Sequence, residues 1–216
     1  MASTSRDRIM TEALRLFGEQ GFAKTSVAQI EQAAGLSGGS GALYRHFKSK
    51  DELLVRAVAS RLDDRAEWDQ FLSPEFALTA ALDSVTGGGS TVDMIVALCR
   101  IGLARLDHDR DVTRILLRDN SIPAELLEVF RQREYAVVMA AVTRGLRELA
   151  GDRVRDQDWD ATAAVLVGAL AHFWMMGDIF DGGHPANIGE DRYLRATAEM
   201  IAARLDWAGT EGEDRG

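Results

Sequence analysis

The sequence predicts an all-α protein with a small N-terminal unit and a larger helical remainder. Apolar residues recur at helical spacing through most of the 216-residue chain, and the two-residue alternation typical of strands is almost absent. The chain has only three prolines, and glycines or N-cap residues stand at the ends of most helical segments. At this length, the chain either forms one large domain or combines a small module with a larger one.

The first helix is predicted over residues 6–20. Its apolar stripe consists of residues three or four positions apart, namely Ile9, Ala13, Leu14 and Phe17. Gly21 ends the helix, since glycine readily adopts the positive φ angle that a helix C-terminus requires.

Residues 25–50 predict two short helices joined by a glycine turn, followed by the start of a longer helix. Thr25 is suited to cap the first short helix, and Gly35 follows its last turn. In the second, over residues 42–47, Leu43 and Phe47 face inward, and the outward side chains are Ser40, Tyr44 and Arg45. A short polar helix with a positive tip, held against another short helix, fits the major groove of DNA.

Longer helices are predicted for the rest of the chain. One begins at Ser49, which forms a capping box with Glu52, and continues toward Trp68. It is long enough to link the N-terminal unit to the remainder. Other helices are predicted over residues 91–106, 111–119, 123–150, 158–179 and 191–205.

Residues 161–177 carry no charge, which raises the question of a membrane span. The run is at the short limit for crossing a bilayer, and aspartates flank it on both sides. A helix that is apolar all round is buried all round, so one face is predicted to meet a second copy of the chain. The predicted dimer interface, shared with the helix over residues 123–150, contains Val138, Val142, Val165, Gly168 and His172.

The N-terminal quarter resembles the tetracycline-repressor (TetR) family of bacterial transcriptional regulators. The matching segments are residues 6–17, Gly21-Phe22, residues 33–37, residues 43–50 and residues 52–54. The resemblance implies a DNA-binding domain over residues 1–48, and an effector-binding and dimerisation domain over residues 49–216. It further implies a homodimeric repressor that leaves its operator when a small molecule binds. Gly38-Gly39 are two residues more than the family's commonest pattern has before the recognition helix, which leaves open whether Ser37 or Ser40 meets DNA.

The predicted DNA contacts combine side-chain chemistry with this resemblance. Lys50, at a helix N-terminus, is predicted to bind a phosphate, and Tyr44 is implied to contact the DNA backbone. Arg45 is suited to a guanine edge or to a phosphate, and Gln29 to a base edge. The full predicted set is Thr25, Ser26, Gln29, Ser37, Ser40, Gly41, Ala42, Tyr44, Arg45, His46 and Lys50.

Charge is distributed unevenly along the chain. The formal net charge is −9, yet residues 1–56 hold eight Lys/Arg against six Asp/Glu, a net charge of +2. This asymmetry predicts a local phosphate-binding surface on an otherwise acidic protein.

The single cysteine, Cys99, excludes an internal disulfide, and the N-terminus lacks a signal-peptide pattern, so a cytoplasmic location is expected. Cys99 itself is interpreted as a small buried apolar residue rather than a redox sensor.

The larger domain contains bulky apolar residues suited to an effector pocket, a site that the family resemblance implies. The predicted lining residues are Trp68, Phe71, Met94, Phe130, Met139, Phe173 and Trp174. No catalytic constellation, metal-ligand spacing or cofactor motif occurs in the sequence, so neither catalysis, a metal nor a cofactor is predicted. The alternative hypothesis is an all-α ligand-binding protein or enzyme with a vestigial DNA-binding module.

Overall fold

The structure, a computed structural model, describes residues 4–65, 68–73, 75–151, 157–180, 183–184 and 186–206. These residues contain helices and no strand, so the predicted all-α class is confirmed. The α-helices are α1 (Ser5–Gln20), α2 (Val27–Ala33), α3 (Lys50–Asp63), α4 (Asp69–Leu72), α5 (Leu78–Thr86), α6 (Thr91–His108), α7 (Arg110–Arg118), α8 (Ala124–Phe130), α9 (Ala136–Ala150), α10 (Trp159–Asp178) and α11 (Glu190–Asp206). A 3-10 turn (Leu43–Arg45) precedes α3, and a π-helical turn (Arg131–Tyr135) joins α8 to α9.

The chain divides into two compact units. The first unit contains the described residues up to 65 together with Asp107–Ala136, and the second contains the described residues of 68–106 and those from Val137 to Asp206. The first unit therefore extends well beyond residue 48 and includes α7 and α8. The predicted functional division at residues 48 and 49 stays a prediction.

Helix α1 supplies one wall of the first unit's core. Thr4 caps it by accepting a hydrogen bond from the amide of Asp7, and Gly21 follows it with a φ angle of 90°. The predicted stripe is buried, and α1 packs against α3 and α7. The core of this unit includes Ile9, Ala13, Phe17, Ile30, Leu43, Phe47, Leu53, Leu54, Val58, Leu62, Val112, Ile115 and Leu126.

Helix α3 lies entirely within the first unit. Ser49 caps it by accepting from the amide of Glu52 at 3.0 Å, which confirms half of the predicted capping box. The other half is wrong, because the Glu52 carboxylate accepts from the amide of Lys48 at 2.8 Å. The helix also ends at Asp63 rather than near Trp68, and its buried residues all belong to the first unit's core. Thus α3 does not by itself reach the second unit.

The predicted long helix over residues 123–150 is observed as a continuous helical segment with one irregularity. Pro123 precedes α8, and the π-helical turn over residues 131–135 connects α8 to α9. A π-helical turn accommodates one additional residue within a helix. The division between the two compact units falls just after this turn.

The second unit has its own apolar core. It is formed by residues from α5, α6, α9, α10 and α11, including Leu78, Leu82, Ile95, Leu98, Leu146, Leu149, Ala163, Leu166, Leu194, Ala198 and Leu205. Cys99 is fully buried in this core, and burial raises the pKa of its thiol to about 12. This placement agrees with the interpretation of Cys99 as a buried apolar residue, since a reactive cysteine needs a lowered pKa.

Helix α10 has one buried face and one exposed face. Asp158 caps it by accepting from the amide of Ala161 at 2.9 Å. Its buried residues are Trp159, Thr162, Ala163, Leu166, Leu170 and Trp174. By length and composition α10 could cross a membrane, and 28% of its apolar stretch is buried. One such helix is weak evidence for a membrane span, because core helices of soluble proteins have the same length and composition.

Candidate nucleic-acid interface

The N-terminus of α2 is capped by Ser26, not by Thr25 as the sequence predicted. The Ser26 hydroxyl accepts from the amide of Gln29 at 3.3 Å, and the Gln29 side chain accepts from the Ser26 amide at 2.7 Å. Thr25 is only 1% exposed, and its hydroxyl donates to the carbonyls of Gly21 and Leu16. The hydroxyl of Thr25 therefore holds the loop that enters α2, because both of its acceptors are main-chain groups of α1 and its end.

The segment after α2 does not form the recognition helix that the sequence predicted. Gly35 follows α2 with a φ angle of 73°, as expected, but Gly39 and Gly41 also have positive φ angles, of 77° and 72°. A right-handed helix cannot contain such residues, so regular structure begins only at Leu43. The predicted helix over residues 42–47 is thus reduced to the 3-10 turn Leu43–Arg45.

The 3-10 turn is anchored by two buried side chains and presents three exposed ones. Leu43 and Phe47 are buried in the core of the first unit, as predicted. Tyr44 is 58% exposed, and Arg45 and His46 are exposed beside it. The turn therefore offers an aromatic ring with a hydroxyl, a guanidinium and an imidazole on one short surface.

The remaining predicted DNA contacts surround this turn. Ser37 and Ser40 are exposed, and the Ser40 hydroxyl accepts from the amide of Ala42 at 3.3 Å. Ser26 and Gln29 are exposed at the start of α2, although their polar side-chain atoms are engaged in the cap. Gly41 and Ala42 are half-buried at the entry to the turn.

Lys50 occupies a different environment from the one predicted. Its ammonium donates to the carbonyl of Phe22 at 2.8 Å and to that of Thr25 at 3.1 Å, and it lies 4.3 Å from the centre of the Phe22 ring. The side chain therefore ties the start of α3 to the loop before α2. Both carbonyls lie in the loop before α2, where the Phe22 carbonyl also accepts from the amide of Thr25 at 3.3 Å.

Asp119 holds the loop beside the candidate interface, a contact that the sequence did not reveal. Its carboxylate accepts from the amides of Phe22 and Ala23, and from the amide and hydroxyl of Ser121. Burial raises the pKa of Asp119, but these hydrogen bonds outweigh it and hold that pKa below its ordinary value. The loop before α2 is thus held from two directions, its amides by Asp119 and its carbonyls by Lys50. The sequence separation of 97 between Asp119 and Phe22 explains why no local pattern signals the contact.

Glu31 is a second residue that the sequence did not single out. It lies on α2, is fully buried, and its Oε1 accepts from the amide of Leu43 at 2.9 Å. A glutamate between helical residues is usually interpreted as part of a solvated face, so the sequence offered no signal for this contact.

The residues predicted to line an effector pocket do not all belong to one unit. Phe130 packs against the core of the first unit, whereas Phe71, Met94 and Met139 pack against that of the second. Also in the second unit, Trp68 lies 6.2 Å from Phe71 between ring centroids, and Phe173 stacks on Tyr193 at 4.6 Å. Trp174 is buried. Phe130 therefore belongs to a different unit from the others, and the pocket stays a prediction.

The predicted dimer residues differ in exposure. Val165 is 66% exposed, and Gly168 and His172 are exposed on the same face of α10. Val142 instead packs against the core of the second unit, and Val138 is half-buried.

No group of three or more His, Cys, Asp or Glu residues able to hold a metal occurs in the described part of the chain.

Comparison with known proteins gives a match confined to the N-terminal region. The family model for bacterial regulatory proteins of the tetR family matches residues 9–57. The chain is 44% identical over 52 residues to an uncharacterised HTH-type transcriptional regulator, YerO, of Bacillus subtilis, covering 24% of this chain and 17% of that protein. It is 31% identical over 86 residues to the HTH-type transcriptional repressor KstR2 of Mycolicibacterium smegmatis, covering 39% of this chain and 40% of the other. The chain therefore matches less than half the length of these relatives.

Solved structures resemble the whole chain in fold. A putative TetR-family transcriptional regulator from Mesorhizobium loti has a TM-score of 0.67 at 19% identity, covering 93% of this chain and 96% of that one. The fatty acid degradation regulator FadR from Bacillus halodurans has a TM-score of 0.59 at 13% identity, with the same coverage of both chains. At such low identity the likeness shows a common fold. The N-terminal region, residues 9–57, therefore matches the tetR family of bacterial regulatory proteins, and the chain shares its fold with structures described as TetR-family regulators.

Proposed function

We propose that this protein is a transcriptional repressor that binds operator DNA as a homodimer and releases it when a small, largely apolar effector binds. The observation that carries the proposal is the 3-10 turn, where buried Leu43 and Phe47 fix the backbone beneath three exposed polar side chains. Repressors with the same N-terminal pattern occur among the relatives. A cytoplasmic location agrees with this role.

The DNA-facing surface is proposed to centre on Tyr44, Arg45 and His46. Arg45 provides a planar guanidinium for a guanine edge or a phosphate, and Tyr44 provides a hydroxyl for the DNA backbone. Ser37 and Ser40 extend this surface before the turn, and Gln29 extends it along α2. Thr25 and Lys50 are left out, because the hydroxyl of one and the ammonium of the other are bonded to main-chain carbonyls.

The exposed face of α10 is proposed to meet a second copy of the chain. It carries small or apolar residues such as Val165 and Gly168, with His172 on the same face, and a Cβ added at Gly168 would meet nothing within 4 Å. A glycine in open space on an apolar helix allows close approach of another helix. A dimer matches the two half-sites of an operator, whose centres lie about 34 Å apart or somewhat more.

The effector is proposed to bind in the second unit and to favour a conformation with lower DNA affinity. The apolar side chains of that unit suit an apolar ligand. The chain passes from one unit to the other within α6 and again just after the π-helical turn, among other places. A ligand can release DNA only if it binds the two conformations with different affinity. Linkage then requires the operator to weaken effector binding by the same factor, typically about five- to 150-fold.

The DNA-binding part of the proposal is tested by selecting bound duplexes from a random-sequence library with the full-length protein. Fluorescence anisotropy then measures affinity for the selected duplex and for a scrambled one. Arg45→Ala should weaken binding to the selected duplex by about tenfold or more. Arg56→Ala is the matched control, since Arg56 is exposed on α3 beside Glu52 and should change little.

Two outcomes would overturn the proposal. Failure to enrich any sequence would remove specific DNA binding and leave the hypothesis of a ligand-binding protein with a vestigial module. Equal losses for the Arg45 and Arg56 variants would place the interface elsewhere. Once an effector is identified among ligands retained on purification, calorimetric titration with and without saturating operator tests release, and equal effector affinities in the two titrations would end the induction model.

A further inference from the structure

Glu31 is a fully buried carboxylate next to the proposed DNA-reading turn. Acidic side chains are almost never fully buried unless they are paired. The Glu31 Oε1 atom accepts the amide proton of Leu43 at 2.9 Å, and Leu43 is the first residue of the 3-10 turn. The first amides of a helical turn have no partner within the turn, so Glu31 acts as a cap supplied from α2.

Leu36 packs against the core of the first unit, and Leu43 and Phe47 anchor the turn itself, but the residues between Gly39 and Gly41 have few contacts. Gly39 and Gly41 adopt left-handed conformations, and a Cβ at either would meet nothing within 4 Å. The turn's own hydrogen bonds are local, such as the amide of Tyr44 to the carbonyl of Gly41 at 3.1 Å. The Glu31 bond instead connects residues 12 apart and ties the turn to α2.

The second carboxylate oxygen of Glu31 destabilises the folded state in this arrangement. Its Oε2 atom is buried and has no hydrogen-bond partner among the residues that the structure describes. A buried polar atom without a partner destabilises the folded state. Core stability alone therefore poorly explains a buried glutamate at this position. Its Oε1 atom, by contrast, binds the amide of Leu43, the residue that precedes Tyr44.

We propose that Glu31 is a positioning residue for DNA recognition, which sets the place of Tyr44, Arg45 and His46 relative to α2. This inference rests on the proposed function. Glu31 does not touch DNA in this role, because it is fully buried. It acts through the Leu43 amide, so that the exposed side chains of the turn meet DNA in one fixed arrangement.

The test compares Glu31→Ala with Glu31→Gln in the full-length protein. Alanine removes the acceptor for the Leu43 amide. Glutamine keeps one carbonyl oxygen for that amide, and its NH2 group replaces an oxygen that makes no hydrogen bond. We therefore expect glutamine to behave like the wild type and alanine to lose about tenfold or more in affinity for the selected duplex. Affinity for the scrambled duplex should stay within about twofold, because phosphate contacts dominate it.

A core variant separates positioning from general stability. Ile115→Val lowers the stability of the same unit, since Ile115 is buried in its core on α7, yet it leaves the Glu31 bond intact. It should not change the ratio of affinities for the selected and scrambled duplexes. A fall in that ratio for Ile115→Val equal to the fall for Glu31→Ala would reduce Glu31 to a merely structural role.

Amide hydrogen exchange gives a measurement that needs no DNA. The Leu43 amide should exchange about tenfold faster in Glu31→Ala, relative to the Ala34 amide, which is bonded to the Ile30 carbonyl within α2. Faster Leu43 exchange with an unchanged ratio of affinities would overturn the positioning role and leave DNA binding intact. Loss of all sequence discrimination in the wild type would instead overturn the proposed function, and the positioning role with it.

Discussion

Replacing Lys50 by methionine decides between two roles for this lysine, a phosphate contact and a loop anchor. Methionine keeps an unbranched apolar side chain of similar length and removes the ammonium. The lost contacts are hydrogen bonds to the carbonyls of Phe22 and Thr25, at 2.8 and 3.1 Å, and the approach to the Phe22 ring at 4.3 Å.

The expected cost follows from these contacts. A hydrogen bond from a charged donor contributes about 1.5–3 kcal/mol, and a cation–π contact about 0.5–1 kcal/mol when it is accessible to solvent. One half-buried ammonium makes all three contacts, so they do not add fully, and we expect the free energy of unfolding to fall by about 2–3 kcal/mol. That change corresponds to a shift of roughly 1 M in the urea midpoint.

The assay is urea denaturation followed by circular dichroism, paired with DNA affinity measured at several salt concentrations. A loop anchor predicts a lower urea midpoint and an unchanged slope of log affinity against log salt. A phosphate contact predicts an unchanged midpoint and a slope shallower by about 0.9 per subunit. Lys48→Met is the control for stability, because the Lys48 side chain is exposed. An unchanged midpoint for Lys50→Met would refute the anchor.

Three further predictions concern other parts of the chain. Asp119→Asn should destabilise the protein near neutral pH. Because the folded-state pKa of Asp119 is lowered, the stability that its carboxylate contributes is present above the unfolded-state pKa of about 3.9 and is lost as pH falls through the folded-state pKa. The urea midpoints of wild type and variant should therefore converge in acid. Gly168→Arg should leave the monomer folded, since Gly168 faces open space. It should weaken the dimer by several kcal/mol, because it would bury a charge in the interface. An undiminished dimer in light scattering would place the interface away from α10. Cys99, with its pKa raised to about 12 by burial, should resist alkylation by iodoacetamide at pH 8 in the native state and react after denaturation, whereas rapid native-state labelling would contradict its burial.

Much of the fold could be predicted because it depends on local signals. The stripe of α1, the glycine after α2, the Ser49 and Asp158 caps, and inward-facing Leu43 and Phe47 all arise from spacing within a few residues. Helix periodicity and capping are properties of short segments, so a single sequence contains them.

The errors concern contacts between distant residues and the competition between neighbouring caps. Thr25 and Ser26 are both good N-cap residues, and only the carbonyls of Leu16 and Gly21 decide that Thr25 turns inward. The position of Lys50 at a helix N-terminus predicts a phosphate contact, and no local pattern shows the carbonyls that it binds, since they lie at least 25 residues away. The sequence showed the inserted glycines, but their left-handed conformation, and therefore the shortened turn, required the backbone.

The glycines before the 3-10 turn also limit which residues of this surface can change as the sequence evolves. Any side chain at Gly39 or Gly41 would be held at a positive φ angle, at a cost of roughly 1–2 kcal/mol, so these positions tolerate little variation. Tyr44, Arg45 and His46 have no such restriction, since their side chains project away from the core. If the proposed function holds, a descendant can therefore change the DNA sequence it binds by exchanging a few surface residues, while the backbone that presents them stays the same.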